Sequence, residues 1–378
     1  MNNKVLSLND WEYLLTYMPK GWKEKGKSLG ALKRNRNFDS FESLLRTLLI
    51  HFVDGCSLRE TAVRARTGSI ANITDVALLK RLNKSGEWLN WMAVELMKRW
   101  INRIPDVFYG TKRRIRVVDG SIICEPGSTG SDWRIHYSIE LKTLRCDEVI
   151  ITDYKIGETL KRYKVEKNDI FIGDRGYAHR RGIGYVKESG GDVIVRINLT
   201  NLPLYNKTRQ KINILKRLRQ VEETFAKDWV VYAKGENGQL IKGRLCAIKK
   251  NDIAAIKSIG KTKRANSRKG RKVRPETLEA AKYIFVFTTL TRKSMIKEKV
   301  LEIYRGRWQV ELAFKRLKSI IKLGHLPKQD AIGAKSWLQG KIFVAFLVES
   351  MIVAGERFFP WGYSLEKALP MERNLVHA

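Results

Sequence analysis

Residues 114–124 read RIRVVDGSIIC, a stretch in which apolar and polar side chains alternate. This period of two predicts a β-strand. Asp119 lies inside the strand, where an unpaired carboxylate is costly to bury. The stretch therefore predicts either a functional acid or a residue that caps a turn, since Asp-Gly is a common turn pair.

Further strands and helices follow in a regular order. Two stretches separated by short polar turns predict antiparallel strands, at Trp133–Leu141 and Asp147–Asp153. A short helix near residues 158–164 comes next, followed by a strand, a helix and a last strand at Asp169–Asp174, Ala178–Glu188 and Asp192–Ile197. In this order of β, β, β, α, β, α, β, we expect the first and fourth strands to be neighbours at the sheet centre.

The chain before the first strand has helical periodicity. Residues 39–101 carry apolar side chains at spacings of three and four, and Ser57 and Thr74 can cap two of the helices. We expect a helical N-terminal DNA-binding domain over residues 1–108. A helix-turn-helix pair and a plain helical bundle with a solvated basic face explain the pattern equally well.

A basic segment interrupts the regular order after residue 198. It contains a hairpin pattern, Trp229–Ile248, that turns at GENG (235–238), and a run rich in Lys and Arg, Lys261–Arg274. We interpret residues 199–281 as a mostly β insertion that divides a core into residues 109–198 and 282–378. The basic run predicts either phosphate contacts or a solvated disordered loop.

A long helix is predicted from Ser294 to Lys322, after an apolar strand at Tyr283–Thr288. Side chains that share one helix face within about 80° are Tyr304, Arg307, Glu311, Lys315 and Lys318. An adjacent apolar stripe would pack on the sheet and bring Glu311 to the rim of the core. The alternative is an amphipathic surface helix with Glu–Lys pairs along it.

The composition of the 378-residue chain indicates a polyanionic partner. Its 73 Lys and Arg residues outnumber 39 Asp and Glu residues, which gives a formal net charge of +34. Double-stranded DNA is the leading candidate. We expect no membrane contact, since the longest apolar stretch, Ile342–Ala354, is too short to span a bilayer and is interpreted as a buried core helix. The scattered cysteines argue against a zinc site and against disulfides, which fits a cytoplasmic protein.

Two acids at apolar strands suggest metal chemistry. Cleavage of a phosphodiester by two divalent ions needs carboxylates that converge from different elements. Pairing of the first and fourth strands would bring Asp119 and Asp174 side by side, and the long helix would add Glu311. The sequence therefore predicts a metal site in outline. The alternative is that Asp119 and Asp174 are each strand-end residues that cap a turn.

Three blocks of the sequence resemble one known family. VVDGS around Asp119, IGDRGY around Asp174 and IYRGRWQVELAFKRLK around Glu311 are similar to the acidic blocks of bacterial insertion-sequence transposases of the DDE type, the IS-four type family. The last block matches that family's Y-(2)-R-(3)-E-(6)-K signature at Tyr304, Arg307, Glu311 and Lys318. The likeness covers about residues 114–327, and the long interval between the second and third acids is similar to members with a mostly β insertion.

The resemblance implies a fold and an activity. The fold would be a ribonuclease-H-like core, a mixed five-stranded sheet with helices. Asp119, Asp174 and Glu311 would bind Mg2+, with Mn2+ as a substitute. The enzyme would hydrolyse one strand at each transposon end, and the freed 3′ hydroxyl would then attack target DNA.

The resemblance also implies DNA contacts near the cut. Tyr304, Arg307 and Lys318 match positions that hold the DNA there, and Lys315 shares their predicted face. Stacking on a base turned out of the duplex needs an aromatic platform, which Trp229 or Trp308 could supply. Core packing is the stronger explanation of either tryptophan.

The implied partners are terminal inverted repeats and target DNA, bound by a homodimer in the cytoplasm at the nucleoid. Two other functions stay open. A structure-selective nuclease or resolvase on the same core would need the acids without strand transfer. A noncatalytic DNA-binding protein would tolerate their replacement.

Overall fold

The computed structural model describes residues 10–33, 38–101, 111–124, 132–222, 225–320, 326 and 330–356. They form a mixed α/β fold with one large sheet, as the sequence predicts. The predicted helix end at Lys322 and the chain after residue 356 lie outside these residues.

The first described elements are helices α1 to α5, at Asp10–Leu15, Trp22–Ser28, Phe41–Val53, Leu58–Thr67 and Asp75–Ile101. Both predicted caps are confirmed. Ser57 Oγ accepts a hydrogen bond from Glu60 N at 3.1 Å, and Thr74 Oγ1 accepts one from Ala77 N at 3.2 Å. Each cap satisfies a backbone N–H that has no partner inside its helix.

Five strands form the first half of the sheet. They are β1 to β5, at Ile115–Ile123, Trp133–Glu140, Arg145–Asp153, Ile170–Gly173 and Asp192–Arg196, with helix α6 at Arg180–Glu188 between the last two. Their order is β3-β2-β1-β4-β5, with β1 antiparallel to β2 and parallel to β4. The predicted central pairing of the first and fourth strands is confirmed. The short helix expected near residues 158–164 is a single 3-10 turn, Leu160–Arg162.

Four more strands extend the sheet beyond the first five. The following elements, in chain order, are β6 Leu204–Tyr205, α7 Ile214–Leu218, β7 Lys227–Lys234, β8 Leu240–Lys249, α8 Asp252–Ser267, α9 Pro275–Ala280 and β9 Tyr283–Thr288. Strand β9 pairs with β5 and with β8, which makes one nine-stranded sheet. The extension covers the open edge of β5, whose backbone groups would otherwise lack partners.

The predicted insertion is therefore not mostly β. Helices α7, α8 and α9 accompany the hairpin of β7 and β8, which turns at Gly235–Gly238 as expected. The basic run Lys261–Arg274 begins within α8, so a disordered loop is the wrong description of residues 261–267. Asn251 caps this helix, because its Oδ1 accepts a hydrogen bond from Ala254 N at 2.9 Å.

Apolar side chains form a core on each face of the sheet. Val117 and Ile172 belong to one cluster, which also contains side chains of α5 and α3, whereas Val118 and Phe171 belong to the other, with those of α6 and α7. Successive residues of a strand point to opposite faces, so both clusters follow from the same alternation. Each fully buried side chain of this size contributes about 1.5–3 kcal/mol.

The long helix predicted from Ser294 to Lys322 is wrong as a single helix. It is divided into α10, Lys297–Arg305, and α11, Trp308–Ile320. At the junction Gly306 N donates to Ile303 O and Arg307 N to Tyr304 O, a three-residue spacing that replaces the α-helical one. A Cβ at Gly306 would lie 3.0 Å from Leu141 Cδ2, so close packing on the sheet accompanies the break.

The last described helix, α12 at Ala331–Glu356, contacts α5 and α3. Length and composition alone would let Ala331–Ile352 cross a membrane, but 72% of its most apolar window is buried inside the protein. The predicted core helix at Ile342–Ala354 is confirmed for its first half, where Phe343, Phe346 and Leu347 are buried.

Candidate active site

Strand register brings the first two predicted acids to the same level of the sheet. Val117 of β1 lies opposite Ile172 of β4 in a parallel pair. Asp119 and Asp174 each follow two residues later, just beyond the last paired positions. Because β1 and β4 are adjacent, the two carboxylates end up as neighbours.

Each of these acids is held by the backbone next to it. Asp119 Oδ1 accepts a hydrogen bond from Gly120 N at 2.9 Å, and Asp174 Oδ1 accepts one from Gly176 N at 2.6 Å. Asp174 thereby caps the 3-10 turn at Arg175–Tyr177. The turn-capping explanation thus describes Asp174 correctly, but it does not exclude a second role.

The Asp119 carboxyl is hard to ionise in this environment. Burial raises its pKa to about 7, and the nearby charges of Asp174 and Glu158 add to the effect. Its bond from Gly120 N and the positive charge of Arg307 act in the opposite direction. A carboxyl with such a pKa gains strongly from an added cation.

Glu311, the third predicted acid, lies in the first turn of α11, where a negative charge interacts well with the helix dipole. Its side chain is 53% exposed and accepts a hydrogen bond from Arg307 Nη2 at 2.5 Å. Arg307 Nη1 is 4.0 Å from Asp119 Oδ2. One guanidinium therefore lies between an acid of the sheet and the acid of the helix.

An open cavity of about 680 Å3 joins the two sides of this site. Its lining residues are Asp119, Gly120, Ser121, Glu311, Phe314, Lys315 and Lys318. Lys315 and Lys318 are exposed and line this cavity together with Asp119 and Glu311.

Tyr304 was predicted to share one helix face with Glu311, but the break at Gly306 places Tyr304 in α10 and Glu311 in α11. Tyr304 is buried, at 6% exposure. Burial raises the pKa of its hydroxyl, and the charges of Arg196 and Arg307 lower it. Tyr304 is therefore a buried residue near Arg196 and Arg307, and it is not among the residues that line the cavity.

The two tryptophans differ in position. Trp308 begins α11 and is 52% exposed, one residue after Arg307. Trp229 of β7 is partly buried against the core cluster that contains Val231 and Leu245. The core explanation suits Trp229, while the ring of Trp308 is available for stacking.

Three residues near the site were not assigned roles from sequence. The Glu158 carboxylate lies close enough to Asp174 for the charge of that residue, together with burial, to raise the pKa of Glu158. Arg175 and Arg196 form no ion pair with a described residue, and burial and Arg196 lower the pKa of Arg175. None of the three belongs to a periodic pattern that would mark it as functional. The sequence does show a Gly-Glu pair after β3 and an arginine at the end of β5.

The donor set suits a hard divalent cation, because carboxylate oxygens are the ligands that Mg2+ and Mn2+ prefer. The guanidinium between Asp119 and Glu311 occupies a position where positive charge is needed. Within the described part of the chain, no three His, Cys, Asp or Glu side chains are grouped closely enough to hold a metal. Glu311 would have to leave Arg307 to join such a group.

Comparisons with known proteins agree on one family. Residues 151–347 match the family of the Transposase DDE domain, a range that includes Asp174 and Glu311. The chain is 31% identical over 368 residues to the putative transposase InsL for insertion sequence element IS186A of Escherichia coli K12, covering 96% of this chain and 99% of that protein. It is also 31% identical over 369 residues to the transposase for insertion sequence element IS421 of Escherichia coli, with the same coverage.

Proposed function

Because this chain belongs to the insertion-sequence transposases with a Transposase DDE domain, we propose that Asp119, Asp174 and Glu311 are the acids with which it cuts and joins DNA. The chain is a transposase, an enzyme of DNA cleavage and strand transfer. The observation that carries the assignment is the β1–β4 register, which aligns Asp119 with Asp174 beside the cavity that Glu311 lines.

The family implies a divalent metal ion, and Mg2+ is our proposal for it, with Mn2+ as a substitute. When bound, the ion would activate the attacking oxygen and stabilise the leaving oxygen. Asp119, Asp174 and Glu311 would hold it. The raised pKa of Asp119 supports the proposal, since binding a cation is a favourable way to keep that carboxylate ionised at neutral pH.

Arg307 would act in two states. Without metal it compensates the charges of Asp119 and Glu311. If Glu311 served as a metal ligand, the guanidinium would be free to bind a phosphate of the DNA, for which its paired N–H groups are well suited. Tyr304, packed behind it, would limit where Arg307 can move.

Lys315 and Lys318 would bind phosphates on the helix side of the cavity. Trp308 would stack on an unpaired base near the cut. It suits this role better than Trp229, because Trp308 is exposed and Trp229 is partly buried against the core. The partners would be terminal inverted repeats and target DNA.

The remaining assignments rest on the resemblance and on charge. We propose that residues 1–108 form a DNA-binding domain, that residues 199–281 are an insertion between residues 109–198 and 282–378, and that a homodimer acts on DNA in the cytoplasm. The formal charge of +34 supports extended contact with DNA.

The test is a cleavage and joining assay with Mg2+ and a DNA fragment that carries the native element ends. Wild type is compared with Asp119→Ala and Glu311→Ala. We expect wild type to nick at the ends and to join them to target DNA, while both variants bind DNA without cutting.

Other outcomes would replace the proposal. Cutting without joining would indicate a nuclease. Metal-dependent cutting that survives both substitutions would show that other residues carry the chemistry, and binding without any cutting would indicate a DNA-binding protein.

A further inference from the structure

Glu158 lies near Asp119 and Asp174, although it belongs to a connecting turn and not to a strand or helix. It follows β3 and precedes the 3-10 turn at Leu160–Arg162. Two arginines fix the backbone just before it. Arg134 Nη1 donates to Ile156 O at 3.2 Å, and Arg162 Nη2 donates to Gly157 O at 3.1 Å. The approach of Glu158 to the site is therefore built into the turn.

Two glycines next to the proposed catalytic acids make room for this carboxylate. A Cβ at Gly120, which follows Asp119, would lie 2.7 Å from Glu158 Oε1. A Cβ at Gly176 would overlap Glu158 Oε2 and lie 3.0 Å from Asp174 Oδ1. The carboxylate thus occupies the space that side chains at both positions would fill, and it faces the same space as Asp174.

The partners of the four acids differ. Asp119 and Asp174 accept backbone hydrogen bonds, and Glu311 accepts one from Arg307. The half-buried carboxylate of Glu158 has neither a hydrogen bond nor an ion pair with any described residue. The positive charge of Arg134 lowers the pKa of Glu158, but Arg134 Nη1 donates to the backbone at Ile156 O. Such a group lacks the compensation that burial of a charge requires.

We infer that Glu158 is a fourth carboxylate of the metal site, which binds the divalent cation together with Asp174. This inference rests on the proposed function, because it presumes that Asp119 and Asp174 hold a metal. The cation would supply the partner that no described residue gives to Glu158. Hard oxygen ligands of this kind suit Mg2+ and Mn2+.

The test uses Mn2+ as the probe and the thermal unfolding of the full chain as the readout. A ligand that binds only the folded state raises the unfolding temperature, by an amount that grows with the logarithm of the ratio of ligand concentration to Kd. Wild type, Glu158→Gln, Asp119→Ala and Glu166→Gln are compared in EDTA and over a Mn2+ series. Glu166 is a matched control, since it lies on the same connection and its side chain is 56% exposed.

We expect Glu158→Gln to need about tenfold more Mn2+ than wild type for the same rise in unfolding temperature. In EDTA its unfolding temperature should equal or exceed that of wild type, because one unpaired charge has been removed. Glu166→Gln should follow wild type, and Asp119→Ala should lose most of the response. Gly120→Ala keeps every carboxylate but displaces Glu158, so it should weaken the response as Glu158→Gln does.

An equal Mn2+ response in wild type and Glu158→Gln, with Asp119→Ala impaired, would overturn the inference alone. A drop in the unfolding temperature of Glu158→Gln that is the same with and without Mn2+ would also overturn it, since a structural role predicts that result. If Asp119→Ala keeps the full response, the proposed metal site fails and the inference fails with it.

Discussion

The site has a sheet side and a helix side, and they are built differently. Asp119 lies within β1 and Asp174 directly follows its neighbour β4. Each accepts a backbone hydrogen bond, and the Asp119 side chain is 18% exposed. Glu311 lies on a helix, is 53% exposed and forms an ion pair with Arg307. Burial of the Asp119 carboxylate on the sheet side costs free energy. Glu311 on the helix side is exposed, so it can exchange its partner Arg307 for another at little cost. We therefore expect substitutions on the two sides to have equal effects on activity and unequal effects on stability.

The largest expected effect is on activity, and it should be equally large for substitutions on the two sides. Asp119→Asn and Glu311→Gln keep side-chain size but remove a metal-binding charge. Each should lower the rate of end cleavage by roughly 10³-fold or more, because metal stabilisation of the reacting charges is worth several kcal/mol. Single-turnover cleavage and DNA-binding titrations should show lost cutting with retained binding. Substantial cleavage by either variant would remove that acid from the mechanism.

The second expected effect is a pH dependence of stability that arises from Asp119, on the sheet side. In the folded protein Asp119 keeps its proton up to about pH 7, against 3.8 for an ordinary aspartate. The free energy of unfolding of the metal-free protein should therefore fall as pH rises between these values and stay low above pH 7.

Asp119→Asn removes this penalty. It should be more stable than wild type by about 2–4 kcal/mol at pH 8 and equal to it below pH 4. Urea unfolding in EDTA at several pH values measures the difference. A variant less stable than wild type at pH 8 would show that Asp119 is not under electrostatic strain.

Arg307→Ala tests the connection between the sides. In EDTA at pH 8 it should lower the free energy of unfolding by about 1–2 kcal/mol, because Asp119 and Glu311 lose a compensating charge. Mn2+ should then raise its unfolding temperature more than that of wild type. Arg305→Ala, an exposed arginine two residues earlier, is the control and should change neither quantity.

The smallest expected effect is the stability change of Glu311→Gln. Exposed ion pairs four residues apart contribute about 0.3–0.5 kcal/mol, so the loss should not exceed that range. Urea unfolding measures this loss, on the same Glu311→Gln preparation that is used in the cleavage assay. A loss of 2 kcal/mol or more, far above the ~0.5 kcal/mol expected, would mean that the helix side is as rigid as the sheet side.

The sheet side could be predicted from sequence because strand patterns encode their own register. Alternation around Asp119 and the apolar run before Asp174 identify two strands, and the order of elements makes them neighbours. The edge of the sheet could not be predicted so well. Pairing of β5 with β9 joins residues about ninety positions apart, and no local pattern specifies it.

The helix side was predicted less well for a physical reason. A single Gly306 within a helical pattern is usually tolerated, and the break accompanies its packing on Leu141, a contact made only in the folded chain. Glu158 was missed for a similar reason, because Arg134 and Arg162 bring its turn to the acids through tertiary contacts.

The most direct test is anomalous scattering from Mn2+ in crystals of the protein bound to a DNA end. The account predicts a metal peak with carboxylate oxygens of Asp119, Asp174 and Glu311 at about 2.0–2.4 Å, and an Arg307 side chain that has left Glu311 for a phosphate. A fully occupied peak elsewhere, or Glu311 still paired with Arg307 while the DNA is cut in the crystal, would contradict it.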